Sequence, residues 1–197
     1  MQAYPTRSTR LLLMNASIWL RSILLTCLAL LTACSPKLDW REVHESEAGY
    51  SIMMPARPTI ATRVIDLDGI PVSMRMTVAE ADGLTFAVGS ALMPNANQAQ
   101  ASLHTMKSAL IRNIQGTVIE ERTLSMPYGP GGNKGSLTVF HLHAKGAASS
   151  AINGQPRGLQ ARFVAVGNRV SQVIVTGPEE KLTRDVTDVY FSSLQLN

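Results

Sequence analysis

Two histidines, His141 and His143, stand two residues apart in a segment of alternating polar and apolar residues. In an extended strand this spacing places both imidazoles on one face, with their backbones about 7 Å apart. Because imidazole is a ligand for zinc and copper, the pair could form part of a metal site.

A metal site would need a third ligand, which the sequence does not identify. His44 and His104 have no recognisable spacing to the pair, whereas the thioethers of Met74 and Met76 could serve Cu(I). The alternative is that the histidines form an exposed pair on an edge strand. The methionines would then fill the core, where their flexible side chains adapt to gaps.

A glycine-rich stretch over residues 129–136 can be compared with a phosphate-binding loop. That loop ends in Gly-Lys-Ser/Thr and leads into a helix, whereas Lys134 precedes Gly135 here and a strand is predicted to follow. Residues 127–135 are therefore predicted to form a hairpin loop. Together with the small, polar stretch 146–154, this loop is a candidate for partner contact.

No motif in the chain predicts catalysis. Ser90 lies inside a predicted strand and lacks the Gly-x-Ser-x-Gly turn of serine hydrolases. The carboxylates of Glu120 and Glu121, and those of Asp66 and Asp68, lie beside turns or on neighbouring faces and are expected to be solvated. We therefore expect a protein that is not an enzyme and binds no cofactor, with a hydrolase as the third hypothesis.

Cys34 follows a basic segment that ends at Arg21 and an apolar run over residues 22–31. A basic segment, an apolar run of about 7–15 residues and small residues before the cut form a secretory signal. The sequence Leu31-Thr32-Ala33-Cys34 resembles the lipobox of bacterial lipoprotein precursors. The resemblance implies that Cys34 is lipidated, becomes the first residue of the mature protein and is held in membrane lipid by its acyl chains.

The lipobox also implies a domain organisation and a location. The predicted parts are a signal peptide over 1–33, a lipidated N-terminus and tether over 34–48, and a folded domain over 49–197. Met14 is a plausible true start, since residues 14–34 contain every part of the signal. Ser35, in place of Asp, resembles lipoproteins sorted to the outer membrane of Gram-negative bacteria, where the domain faces the periplasm.

Removal of the predicted signal changes the charge balance. The full chain has 18 Lys and Arg against 14 Asp and Glu. Three arginines and no acids lie in 1–33, so 15 basic and 14 acidic residues remain. This balance lacks the basic patch that nucleic-acid binding requires, and we expect no nucleic-acid partner.

Strand signals fill the sequence on both sides of one predicted helix. Asp68-Gly69 and Asp82-Gly83 separate alternating segments, as in tight β-hairpins. They predict strands over 59–67, 72–78 and 84–92. Further strands are predicted over 49–54, 117–126, 136–144, 159–166 and 169–176.

Two helices are predicted. The first begins after the cap residue Asn95, ends before Gly116, and has an apolar residue at every third or fourth position. Its apolar stripe consists of Ala99, Leu103, Met106, Leu110 and Ile114. The second is predicted to begin at Gly177-Pro178-Glu179-Glu180, because proline and acids favour a helix N-terminus. Its buried stripe is predicted to be Leu182, Val186 and Val189, extended by Tyr190 or Leu194.

This order predicts an α+β fold, an antiparallel β-sheet with two helices. The strand 49–55 that ends in Pro55, the strand 169–175 followed by Gly177-Pro178, and the closing residues 190–194 resemble the PsbP-like fold, including DcrB-like lipoproteins. The resemblance covers about residues 40–197 and implies a PsbP-like α/β sandwich. It implies no catalytic or metal-binding residues.

The leading hypothesis is a membrane-anchored lipoprotein of the cell envelope that acts as a non-enzymatic binding or assembly module. Its expected partner is another envelope protein. The alternative is a periplasmic lipoprotein that binds a small ligand or a metal, with His141 and His143 as ligands.

Overall fold

Two antiparallel sheets and two helices are seen in a computed structural model that describes residues 37–129, 134–147 and 154–197. The unit described below is Leu38–Asn197. The α+β class with two helices is confirmed. Cys34, Ser35 and the predicted signal lie outside the described residues. No helix in the described part is both long and apolar enough to cross a membrane.

Seven strands form the larger sheet, in the order β3-β4-β5-β9-β8-β7-β6. Their bounds are β3 Thr59–Leu67, β4 Ile70–Ala81, β5 Leu84–Leu92, β6 Thr117–Tyr128, β7 Gly135–Lys145, β8 Arg157–Val166 and β9 Arg169–Pro178. Three strands form the smaller sheet, in the order β1-β2-β10. Their bounds are β1 Arg41–Glu45, β2 Tyr50–Met54 and β10 Gln195–Leu196.

The predicted Asp-Gly turns connect β3 to β4 and β4 to β5. Asp68, Gly69, Asp82 and Gly83 all have positive φ, between 49° and 79°, which is the backbone conformation that a two-residue hairpin turn of this kind requires. The segments β3-β4-β5 and β6-β7-β8-β9 are therefore two meanders. They join where β5 pairs with β9, with Gly89 opposite Gln172.

Helix α1 (Ala96–Asn113) connects the two meanders and covers one face of the larger sheet. The Asn95 side chain accepts a hydrogen bond of 2.9 Å from Gln98 N, as a helix cap does. Ala99, Leu103 and Met106 are buried against the sheet, so the predicted helix, its cap and its stripe are confirmed.

The opposite face of the larger sheet is covered by the smaller sheet and by the C-terminal helix α2 (Arg184–Ser192). Tyr50, Phe86 and Tyr190 are each at most 1% exposed at the centre of this layer. The ring of Phe86 meets that of Tyr190 edge-on at 5.0 Å. Buried hydroxyls of this kind need acceptors, and Tyr190 donates to the carbonyl of Ala87 at 2.9 Å.

The predicted tether contains the edge strand β1. Arg41 to Glu45 pair with Met54 to Tyr50, and Trp40 packs edge-on against Phe86 at 5.9 Å. The folded unit therefore begins near Leu38, earlier than the predicted boundary at Gly49. The sequence did not predict this strand, because its residues are mostly polar and exposed and only Glu45 is buried.

The second helix begins seven residues later than predicted. Strand β9 continues through Pro178, and Glu179–Lys181 form a single 3-10 turn. Helix α2 then buries Thr187, Tyr190 and Phe191, whereas Val189, placed in the predicted stripe, is 42% exposed. The pairing of Pro178 with Arg157 of β8 keeps the backbone extended where a helix was expected.

Candidate functional site

His141 and His143 lie on one face of β7, as predicted, but not as an exposed pair on an edge strand. Strand β7 is second from the edge, and His141 is only 4% exposed, with its ring edge-on to Phe191 at 5.9 Å. His143 Nε2 lies 2.9 Å from Glu179 Oε1. The two imidazoles therefore have separate surroundings, one among buried groups and the other beside a carboxylate.

Burial lowers the pKa of His141 to about 4. The neighbouring guanidinium groups of Arg122 and Arg162 lower the pKa further, and His143 does so slightly, while the Glu120 carboxylate acts in the opposite direction. A neutral imidazole is the form that can ligate a metal. Nδ1 of His141 is buried, however, and has no hydrogen-bond partner in the described part of the chain.

The other predicted metal ligands are not brought to this pair. Met74 and Met76 lie on β4, four strands away or about 19 Å by strand spacing. They also face the α1 side, in the core of Leu103. Over residues 37–129, 134–147 and 154–197 there is no group of three His, Cys, Asp or Glu side chains arranged to hold a metal.

The loop in the glycine-rich stretch is shorter than predicted. Strand β6 runs through Pro127 and Tyr128, and β7 begins at Gly135. Lys134 lies over the ring of Tyr128, 5.3 Å from its centre. Residues 130–133 of this candidate loop, and 148–153 of the other, lie outside the described residues.

The remaining candidates have structural partners. Ser90 is 2% exposed. It accepts from Arg169 at 3.2 Å and donates to the Ala48 carbonyl at 3.4 Å. Glu121 pairs with Lys107 at 2.6 Å, and Glu120 lies 3.3 Å from Arg122.

The acids near the first hairpin also have local roles. Asp66 accepts from Gly69 N at 2.9 Å, and Asp68 accepts from the Thr105 hydroxyl. These carboxylates therefore brace a turn and tie it to helix α1.

One feature that the sequence did not predict is an open pocket of about 500 Å³ between the edge of the larger sheet and the C-terminal segment. We call it the Arg162 pocket. Its apolar lining includes Leu124, Met126, Val139, Phe191 and Leu196. Its volume lies in the usual range for small-molecule sites, roughly 300–1,000 Å³.

Arg162 is the cationic group of this pocket. Its guanidinium carbon lies 4.8 Å from the centre of the Phe191 ring, and its Nη1 donates to the Phe191 carbonyl at 2.9 Å. Its Nε is buried and has no acceptor among the described residues. Burial lowers the pKa of Arg162, and so does Arg122, while Asp188 raises it.

Three basic side chains stand in one row across the sheet beside the pocket. Arg122 of β6 pairs with His141 of β7, which pairs with Arg162 of β8. Partners in register project from the same face. The pocket therefore combines apolar walls with a cationic end, a composition suited to binding and orienting a ligand.

Sequence reasoning missed Arg162 because its partners are distant in the chain. A signal was present: Arg162 stands in the largely apolar stretch from Leu159 to Val166, whose residues are all buried or half-buried. A charge in a strand of this kind is seldom buried unless it is paired. The pairing group, Phe191, lies 29 residues away and cannot be identified from spacing.

No family model matches the chain, and no curated protein matches it in sequence. Solved structures do. The chain is similar to cyanobacterial PsbP (CyanoP) from Synechocystis sp. PCC 6803, with 10% identity and a TM-score of 0.49 over 84% of this chain and 96% of that chain.

Two further structures are similar at lower scores. One is from Bacteroides thetaiotaomicron, with 10% identity and a TM-score of 0.42 over 80% of this chain, which spans 48% of that one. The other is PA94, a protein of unknown function from Pseudomonas aeruginosa, with 12% identity and a TM-score of 0.37 over 76% of this chain and 90% of that one. These similarities concern the fold alone.

Proposed function

We propose that this protein is a lipid-anchored, non-enzymatic binding module of the cell envelope and that the Arg162 pocket is its binding site. The observation that carries the proposal is a pocket of about 500 Å³ with apolar walls and a partly buried guanidinium. A buried donor without an acceptor destabilises the folded state by about 1–3 kcal/mol. Arg162 Nε is such a donor, so the folded protein bears a cost for holding this guanidinium beside the pocket.

The anchor is the second part of the proposal. Acyl chains on Cys34 would hold the domain at a membrane surface, on the outer membrane facing the periplasm if Ser35 acts as the sorting residue. Anchoring raises the effective concentration of the binding site for anything at that surface. We expect a Cys34→Ser chain to lose palmitate labelling and to leave the membrane fraction, and unchanged labelling would contradict the anchor.

A protein partner at the sheet edge is the second candidate. Strand β6 ends the larger sheet, so an extended segment of an envelope protein could pair with it. The bulge between Val118 and Glu120 leaves Val118 41% and Ile119 54% exposed on this edge. Such contact would use the edge rather than the pocket.

Site-specific photo-crosslinking in the full-length, membrane-bound protein separates these candidates. A photoreactive residue at Leu124 probes the pocket, one at Ile119 probes the β6 edge, and one at Ile60 on β3 is the control. Ile60 is also an exposed apolar residue, 45% exposed, on the opposite edge strand. Adducts at Leu124 above the Ile60 background support the pocket, and adducts at Ile119 alone would transfer the function to the edge.

A further inference from the structure

We infer that the Arg162 pocket binds the carboxylate end of a single acyl chain, with the carboxylate on Arg162 and the chain along the apolar wall. This inference rests on the proposed binding function and specifies its ligand class.

Most N–H groups of the Arg162 guanidinium have no acceptor among the described residues. Only Nη1 has an acceptor among the described residues, the carbonyl of Phe191. The Phe191 ring covers the guanidinium, with the carbon 4.8 Å from the ring centre, and this fixes the orientation of the group. A carboxylate can accept two parallel N–H bonds from one guanidinium, which is the geometry that arginine recognises best.

The surrounding charge favours an anion. Arg122 stands in the same cross-strand row as Arg162; His141 lies between them and adds no charge near neutral pH, because burial lowers its pKa to about 4. Within the parts of the chain that the structure describes, no carboxylate lies at ion-pair distance from Arg162. Glu120 is instead 3.3 Å from Arg122. Asp188 and Glu120 therefore offset part of the positive charge of Arg162 and Arg122, but Arg162 makes no direct ion pair among the described residues.

Much of the remaining pocket lining is apolar, interspersed with Ser125, Ser192 and Gln195. Leu124 and Met126 project from β6 toward the core, and Leu194 and Leu196 close the opposite wall. Each methylene of a chain laid between these walls would contribute about 0.8 kcal/mol on burial. Arg162 is the only cationic side chain among the described residues that line the pocket, so the pocket offers one anchor for one carboxylate.

The test uses the full chain in its native membranes and two photoreactive probes of equal length. One probe is a diazirine-bearing dodecanoate and the other is the matching alcohol, both applied below their aggregation limit. We expect the carboxylate probe to label the peptides that contain Leu124 and Met126, at least about tenfold more than the alcohol probe does. Excess dodecanoate should compete for the label, whereas acetate should not.

Two pairs of variants locate the contact. Arg162→Gln should reduce labelling at least about tenfold, while Arg63→Gln, which removes an exposed arginine on β3, should leave it unchanged. Leu124→Glu places a carboxylate on the apolar wall of the same pocket and should block labelling without removing the arginine. Ile60→Glu is its control, and protease resistance checks that every variant is folded.

Several outcomes would overturn the inference. Equal labelling by the alcohol probe would show that the pocket ignores the carboxylate, and competition by acetate would show an adventitious anion site. Labelling of Arg162→Gln at the original level would remove Arg162 from the contact. If these arms fail while crosslinks form at Leu124 in cells, the binding function stands and its ligand is not an acyl carboxylate.

Discussion

Burial keeps the His141 imidazole neutral, and this effect can be measured as a pH dependence of the unfolding free energy. The pKa of this imidazole falls from 6.5 to about 4 in the folded protein, chiefly by burial. The unfolded chain takes up a proton as the pH falls below 6.5, whereas the folded protein does not. Stability is therefore retained above pH 6.5 and lost progressively toward pH 4, by on the order of 3 kcal/mol in total.

His141→Gln should reduce this pH dependence. Its unfolding free energy should change less between pH 7 and pH 4.5 than that of the parent, because one proton-binding site of the unfolded chain is removed. Urea unfolding of residues 38–197 at several pH values measures the slope. His104→Gln, at an exposed histidine on α1, is the control, and equal slopes for the parent and His141→Gln would refute the expectation.

Element boundaries were predictable where a local pattern decides them. Helix α1 was found because its apolar positions recur with the helical period and Asn95 caps it. The hairpins were found because Asp-Gly adopts positive φ easily. Strand β10 was not found, since Gln195 and Leu196 become a strand only through pairing with Ser51 and Tyr50. The late start of α2 has the same cause, a distant pairing of Pro178.

The contact between β8 and the 3-10 turn depends on a glycine. A Cβ on Gly158 would overlap Glu179 Oε2 and Leu182 Cδ1, and the other oxygen of Glu179 is held by His143. We expect Gly158→Ala to lower the unfolding free energy by about 1–3 kcal/mol through overpacking. Chemical denaturation measures this change.

A double-mutant cycle checks the cause. Adding Glu179→Ala removes the overlapping carboxylate, so the double variant should be more stable than the sum of the two single changes predicts. Strict additivity would show that the carboxylate is not the group that Gly158 makes room for.

At the scale of the whole molecule, composition and the order of predicted elements indicated the fold class, but not how the strands pair across the larger sheet. The hairpin signals predicted strand pairing within each meander. Nothing in the sequence indicated that β5 would pair with β9. The Arg162 pocket could not be predicted for the same reason. It forms where β6, α2 and β10 meet, and these elements are up to 80 residues apart in the printed sequence.

The early start of the folded unit has a direct test. A fragment of residues 38–197 should be more stable than one of residues 49–197, because the shorter fragment loses the partly buried Trp40 and the whole of strand β1. The longer fragment keeps Trp40 on Phe86 and the 2.9 Å ion pair of Glu45 with Arg75. Thermal or urea unfolding compares the two fragments. Trp40→Ala in the longer fragment should lower its stability part of the way to that of the shorter one. Equal midpoints would place the boundary at Gly49.

Strand β10 also sets an order of events during synthesis. The smaller sheet needs Leu196 beside Tyr50, and Asn197 N bonds to the carbonyl of Gly49 at 3.1 Å. Strand β2 is synthesised about 140 residues before β10, so one side of β2 lacks its neighbour until residues 195 and 196 have left the ribosome. A chain that has not yet released these residues therefore exposes that side of β2.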